Sequence, residues 1–197
     1  MAHQVPSVAD EEFVGRFLAK KHLHAMKTER RIGKTPDFRV YRGEDFQFYC
    51  EVKSIARDNW LDSQLQAAPK ESIAGGVRND PVYNRLTDDI HEAVKQFDAV
   101  NPQDKVPNVL VFANHDSAIC DRQDLIGVLT GNFVTEDGSA HRVYAKFSEG
   151  RIKRDKFRIH LYCWIEHGQM RAYVFNRSHE NHRRALCELL RLGSTRI

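Results

Sequence analysis

Between residues 37 and 53 the chain alternates apolar and polar positions with a period of two. Phe46, Phe48, Cys50 and Val52 fall on one parity, and Gln47, Tyr49, Glu51 and Lys53 on the other. Before them, Phe38 and Val40 alternate with Asp37, Arg39 and Tyr41. Successive strand side chains point to opposite faces, so this reads as a hairpin over about 37–55. Both strands must bury their apolar side against the same core, so even-numbered residues pair with each other. A three-residue loop at Gly43-Glu44-Asp45 gives that register. It places Arg42 opposite Phe46 and Asp37 opposite Glu51.

Helical spacing takes over elsewhere. Ser7 caps a first helix with Asp10, Glu11 and Glu12 in its first turn and Val14, Phe17 and Leu18 on its apolar stripe. A second helix runs from about Tyr83 to Val100, with Leu86, Ile90, Ala93, Val94 and Phe97 on one face, and ends at Asn101-Pro102. Asn108 to Ala113 is an apolar run of the kind found in buried, often parallel, strands. A short helix is expected at Arg122–Leu129 behind a cap at Asp121. A second hairpin is expected from Arg158–Glu166 and Met170–Asn176 around His167-Gly168-Gln169, then a closing helix from Ser178 to Leu192 with Gly193 after it. Residues 57–81, with Gly75-Gly76 and Pro81, read as a long loop or insertion. Together these predict an α/β fold in one domain spanning 1–197.

Composition narrows the class without choosing within it. Hydrophobic content is 41% and charged content 29%, as in ordinary globular proteins. The net charge of +3 is too small to argue for nucleic acid by itself. No run of about 18 apolar residues marks a membrane span, and the N-terminal stretch lacks an apolar signal core. Cys50, Cys120, Cys163 and Cys187 are scattered, with no CxxC, and read as buried thiols. A reducing, intracellular setting, cytoplasmic in the simplest case, is expected.

The hairpin carries the chemistry. Cβ atoms of directly opposed residues sit about 5 Å apart, so Asp37 and Glu51 repel unless a cation lies between them. Hard carboxylate oxygens suit Mg²⁺ or Mn²⁺. Lys53 shares the Glu51 face, where its ammonium can orient or deprotonate a water or neutralise a phosphate.

Pro36-Asp37 is the only Pro-Asp in the chain, and Glu51-Val52-Lys53 its only acid-x-Lys. With the order helix, hairpin, helix, strand, they resemble the PD-(D/E)XK nuclease superfamily of restriction endonucleases and related repair and recombination nucleases. The resemblance covers about residues 7–116. It implies a restriction-endonuclease-like core, a central mixed β-sheet flanked by helices, with about 117–197 as family-variable decoration. It implies a metal-dependent endonuclease or exonuclease, acting on DNA in the first instance. Asp37 and Glu51 would ligate Mg²⁺ or Mn²⁺, helped by the backbone carbonyl of Val52, and Lys53 would position or activate the attacking water. An acid on the first helix often joins such sites. Glu11 lies nearer the Val14/Leu18 stripe than Glu12, although either also simply favours a helix N-terminus. Gln96 is similar in position to a helical glutamine that faces the site or the DNA in many members, with Lys95 a weaker candidate. Homodimers and larger nuclease complexes are common in such families.

Other positions add candidates. His115, after the buried strand, sits where sites gather in open α/β sheets. His22-x-His24 and His179-x-x-His182 lack partners at metal-site spacing and are expected on surfaces or helix faces. Two basic stretches have the density for phosphate contacts. One holds Lys20, Lys21, Lys27, Arg30, Arg31 and Lys34. The other holds Arg142, Lys146, Arg151, Lys153, Arg154, Lys156 and Arg158, interleaved with Tyr144, Phe147 and Phe157. Either stretch also reads as a solvated charged face. Two alternatives stay open: a non-catalytic nucleic-acid- or protein-binding module on the same fold, and a nuclease specific for RNA or branched DNA.

Overall fold

In a computed structural model the described residues are 8–28, 35–55, 69, 82–117, 120–135, 137–142, 149–176 and 179–193. Expectations for Ser7, Ser178, Arg30, Arg31, Lys34, Tyr144, Lys146, Phe147 and all of 57–81 except Pro69 lie outside them. The chain is α/β. Its helices are α1 (Val8–Ala19), α2 (Val82–Val100), α3 (Arg122–Thr130) and α4 (Glu180–Leu190). Its strands are β1 (His24–Lys27), β2 (Phe38–Arg42), β3 (Asp45–Ile55), β4 (Asn108–Asn114), β5 (Asn132–Val134), β6 (Ala140–Arg142), β7 (Leu161–Glu166) and β8 (Gln169–Phe175). A mixed six-stranded sheet runs β1-β2-β3-β4-β7-β8, and β5-β6 form a small separate ribbon. β3, β4 and β7 are parallel, and the outer pairs are antiparallel.

The sheet is covered on both faces, which is why β4 is an apolar run, Val109 to Ala113, between two asparagines, with all seven residues buried. On one face Leu86, Ile90, Ala93 and Phe97 of α2 pack with Phe112, Tyr162 and Trp164. On the other, Val14 and Leu18 of α1 and Leu186, Leu189 and Leu190 of α4 pack on Phe38, Val40, Phe48, Cys50 and Val52. Fully burying one such side chain contributes about 1.5–3 kcal/mol.

The hairpin register holds at its base and changes at its tip. Phe38 pairs with Cys50, Arg39 with Tyr49 and Val40 with Phe48, as the parity requires. Beyond a bulge between Val40 and Tyr41, Tyr41 pairs with Phe46 and Arg42 with Asp45. The loop therefore has two residues, not three, and Arg42 faces Asp45, not Phe46. Gly43, first in the loop, takes φ +61°, a left-handed value that glycine reaches without steric cost. The extra residue turns Phe46 to the opposite face from Phe48. There it packs between Tyr41 and Tyr49, with ring centroids 5.4 and 4.8 Å away.

Most other elements lie where expected. Asp121 caps α3 in a capping box, accepting from the Gln123 and Asp124 amides while Asp124 accepts from the Asp121 amide. Residues 155–158 form a 3-10 turn, so β7 begins at Leu161 rather than Arg158. The β7–β8 hairpin turns through His167 (φ +48°) and Gly168 (φ +67°) and extends the same sheet as the β2–β3 hairpin. No helix among the described residues is long and apolar enough to cross a membrane.

Candidate functional site

Extending the Phe38–Cys50 pairing by one step sets Asp37 opposite Glu51, and the side chains lock there. The Asp37 amide donates to Glu51 Oε2 at 3.1 Å, and the Val52 amide donates to Asp37 Oδ2 at 2.8 Å. The Asp37 carbonyl accepts from the Thr28 amide, so β1 also fixes the turn into β2. Lys53 Nζ lies 2.9 Å from Glu51 Oε1 and donates to Gln96 Oε1 at 3.1 Å. Gln96 Nε2 in turn reaches the Thr35 carbonyl at 3.3 Å. Asp37, Glu51, Lys53 and Gln96 thus meet beneath α2.

Burial governs the electrostatics. Glu51 is 1% exposed and Lys53 9%. Burial, then repulsion from Glu51, pushes the Asp37 carboxyl up to about 7, against the lowering effect of the Val52 amide. Glu51 is also raised by burial, with Lys53 opposing. For Lys53, burial favours the neutral amine, but Glu51, Asp89 and Glu92 outweigh it and the pKa rises. Lys53 is an ammonium here. Asp89, one turn before Glu92 on α2, is pushed up to about 7, mainly by burial, and Glu92 Oε2 lies 3.8 Å from Lys53 Nζ. At spacings of three and four residues, Asp89, Glu92 and Gln96 share one helix face. That spacing was the available signal for the two acids, which the sequence reading did not single out.

The α1 acids divide. Glu11 is buried, pairs with Lys27 Nζ at 2.8 Å, and its charge contributes to raising Asp37. Glu12 is exposed beside Arg16. Asp10, not singled out earlier, accepts from Ser54 Oγ at 2.5 Å and contacts His115 Nε2 at 2.9 Å. His115 is therefore held at the C-terminal end of the parallel strands by α1. Lys95 is exposed.

The basic stretches are less uniform than their composition. Lys20 is exposed, and Lys21 lies over the Phe17 ring. In the second stretch Arg151 bonds Asn84, Lys156 donates to the Leu129 carbonyl, and Arg158 binds Asp98 and the Asn101 carbonyl. These side chains tie the 3-10 turns to α2 and α3, so they are committed within the fold. Lys153 and Arg154 are exposed. The His179-x-x-His182 pair is not a plain helix face, because His160 joins it from the start of β7.

The donor set fits a hard divalent cation. Asp37 and Glu51 are opposed carboxylates, both raised chiefly by burial, and among the described residues the Val52 amide is the hydrogen-bond donor to one Asp37 oxygen. Set beside protein-family models, curated proteins and solved structures, the chain matches none of them.

Proposed function

We propose that the chain is a metal-dependent nuclease on a restriction-endonuclease-like core, hydrolysing phosphodiester bonds, with DNA as the first substrate to test. The observation that carries this reading is the convergence of Asp37, Glu51 and Lys53 on one face of one hairpin. Asp37 and Glu51 would hold Mg²⁺ or Mn²⁺, with the Val52 carbonyl as a further oxygen and Glu11 supplying nearby negative charge. Bound there, the ion would supply Lewis-acid stabilisation of charge on the phosphate and the leaving oxygen.

The protein's own groups do the rest. Hydrolysis joins a water oxygen to phosphorus and expels a sugar oxygen, so negative charge builds on the non-bridging oxygens. Lys53, kept protonated by Glu51, has three N–H donors. Two are used by Glu51 and Gln96. The third, with Glu92 Oε2 3.8 Å from Nζ, would serve a phosphate oxygen or the attacking water. Its raised pKa favours this positioning role over that of a proton acceptor. Gln96 fixes the lysine by bridging it to the Thr35 carbonyl.

The test is cleavage of duplex, nicked, branched and single-stranded DNA and of RNA, in Mg²⁺, Mn²⁺ and EDTA, by the wild type and by Glu51→Gln. Cleavage that requires the metal and Glu51 is expected. Full activity in EDTA, or in Glu51→Gln, overturns the mechanism. Metal-independent binding without cleavage of any substrate replaces it with a binding module.

A further inference from the structure

A second group of chemistry-bearing side chains gathers at the opposite end of β4 from His115. Asp104 lies in the turn between α2 and β4, His160 immediately precedes β7, and His179 and His182 open α4. Each imidazole offers a ring nitrogen, and the three nitrogens lie within 4.8 Å of one another. Asp104 Oδ2 is 3.3 Å from His160 Nε2 and 3.5 Å from His179 Nε2. Tetrahedral metal bonds of about 2.0–2.1 Å place neighbouring ligand atoms about 3.4 Å apart. His160 is 1% exposed, and its Nε2 makes no well-formed hydrogen bond among the described residues, with Asp104 Oδ2 3.3 Å away as its polar neighbour. A buried imidazole nitrogen gathered with two other imidazoles and a carboxylate, without a well-formed hydrogen bond, is a position that suits a shared ligand.

We propose that Asp104, His160, His179 and His182 form a binding site for a transition metal of the Zn²⁺ class, which clamps the start of α4 to the sheet. Imidazole donors select such metals over Mg²⁺, which prefers oxygen. The surrounding contacts are those that orient metal ligands. Asn108 Nδ2 donates to Asp104 Oδ1 at 3.2 Å, and Arg158 lies 3.5 Å from the same oxygen. His182 Nε2 lies 3.1 Å from the Asp104 carbonyl. A proton there leaves His182 Nδ1 as the ligand atom.

His160 must change most. Its Nδ1 accepts the Asn108 amide at 2.9 Å, so its proton rests on Nε2. Ligation through Nε2 moves that proton to Nδ1 and gives up the Asn108 hydrogen bond. Asp104, His179 and His182 are therefore the primary donors, and His160 completes the set. The four residues come from three separate segments, so an ion held among them ties the α2–β4 turn, the start of β7 and α4 together.

The experiment is a Co²⁺ titration of the full chain, stripped with chelator and kept in excess Mg²⁺, followed by visible absorption and then by Zn²⁺ displacement. One equivalent with the intense bands of four-coordinate Co²⁺, displaced by Zn²⁺, is expected, with a Zn²⁺-dependent rise in melting temperature. His179→Asn/His182→Asn should lose the bands and bind at least 100-fold more weakly. His22→Asn/His24→Asn should keep them. Circular dichroism of the metal-free variants confirms that each is folded. Absence of both bands and Zn²⁺ stabilisation in the wild type, or undiminished bands in folded His179→Asn/His182→Asn, overturns the site.

Discussion

Lys53 Nζ lies 2.9 Å from Glu51 Oε1, two residues away on the same face of β3. Glu51 is almost fully buried, so this ion pair has little solvent to replace it. Removing one partner of a buried pair leaves the other charge uncompensated, at a cost of about 3 kcal/mol. Lys53→Met should therefore lower stability by about that amount at neutral pH. Lys53→Met combined with Glu51→Gln should recover much of it, because neither charge then remains. Urea unfolding of the four proteins in a double-mutant cycle checks this. Additive losses would show that the pair is not coupled.

Asp37 makes stability depend on pH in an unusual direction. Its folded-state value of about 7 lies above its ordinary 3.8. Between those values the folded protein binds the proton more tightly than the unfolded chain. Stability from this group is fully present below about pH 4 and is lost as pH rises through about 7. Asp89, raised to the same value, acts in the same sense. In metal-free protein, Asp37→Asn should therefore be more stable than wild type at pH 8, by up to about 4 kcal/mol, and nearly equal to it at pH 4. The Asn side chain can still accept the Val52 amide. Chemical denaturation at both pH values decides, and a destabilised Asp37→Asn at pH 8 contradicts the assignment of buried charge.

How much of this was legible in the sequence depended on the range of the interaction. The Asp37–Glu51 opposition followed from parity, because period-two burial admits only registers of one kind. The tip did not follow: Phe46 could leave its parity only through a bulge, and its reward, packing between Tyr41 and Tyr49, is a tertiary contact. β1 was missed because His24-Ala25-Met26-Lys27 has no alternation. It is an edge strand with mostly exposed side chains, held by pairing with β2. Asp10 and Glu11 both looked like ordinary first-turn acids. Only the packing of α1 on the sheet gives Asp10 to Ser54 and His115, and Glu11 to Lys27. The histidine cluster was invisible for the same reason, since His160 and Asp104 lie far in sequence from His179 and His182.

Gln96 is the residue on α2 whose amide reaches both Lys53 and the Thr35 carbonyl. Gln96→Ala removes both hydrogen bonds, at about 1–2 kcal/mol of stability. It also frees the lysine from one of its two anchors. Misplacement of a positioned group by about 1 Å costs up to about 100-fold in rate. A loss of about 10- to 100-fold in cleavage is expected, with Lys53→Met lower still. Lys95→Ala, on the exposed side of the same helix, should be unchanged within about twofold in a purified assay at moderate salt. An equal loss in Lys95→Ala would mean that the helix contributes surface charge rather than the Gln96 bridge.

The two α1 acids separate by their electrostatic reach. Glu11 raises the Asp37 pKa, while Asp10 is engaged by Ser54 and His115. Glu11→Gln removes a negative neighbour and releases Lys27, and both changes lower the Asp37 pKa. Ionised Asp37 then persists to lower pH. The acid limb of the pH–rate profile should move to lower pH by a fraction of a unit, and the maximal rate should fall if the lost charge also weakens cation binding. Asp10→Asn keeps a side chain able to face Ser54 and should leave the limb where it is, while lowering stability by about 1 kcal/mol. Profiles measured at one fixed, sub-saturating Mg²⁺ concentration, where proton and cation compete for Asp37, make the comparison for both variants. A limb that moves in Asp10→Asn and not in Glu11→Gln would reverse the assignment and make Asp10 the acid that acts on the site.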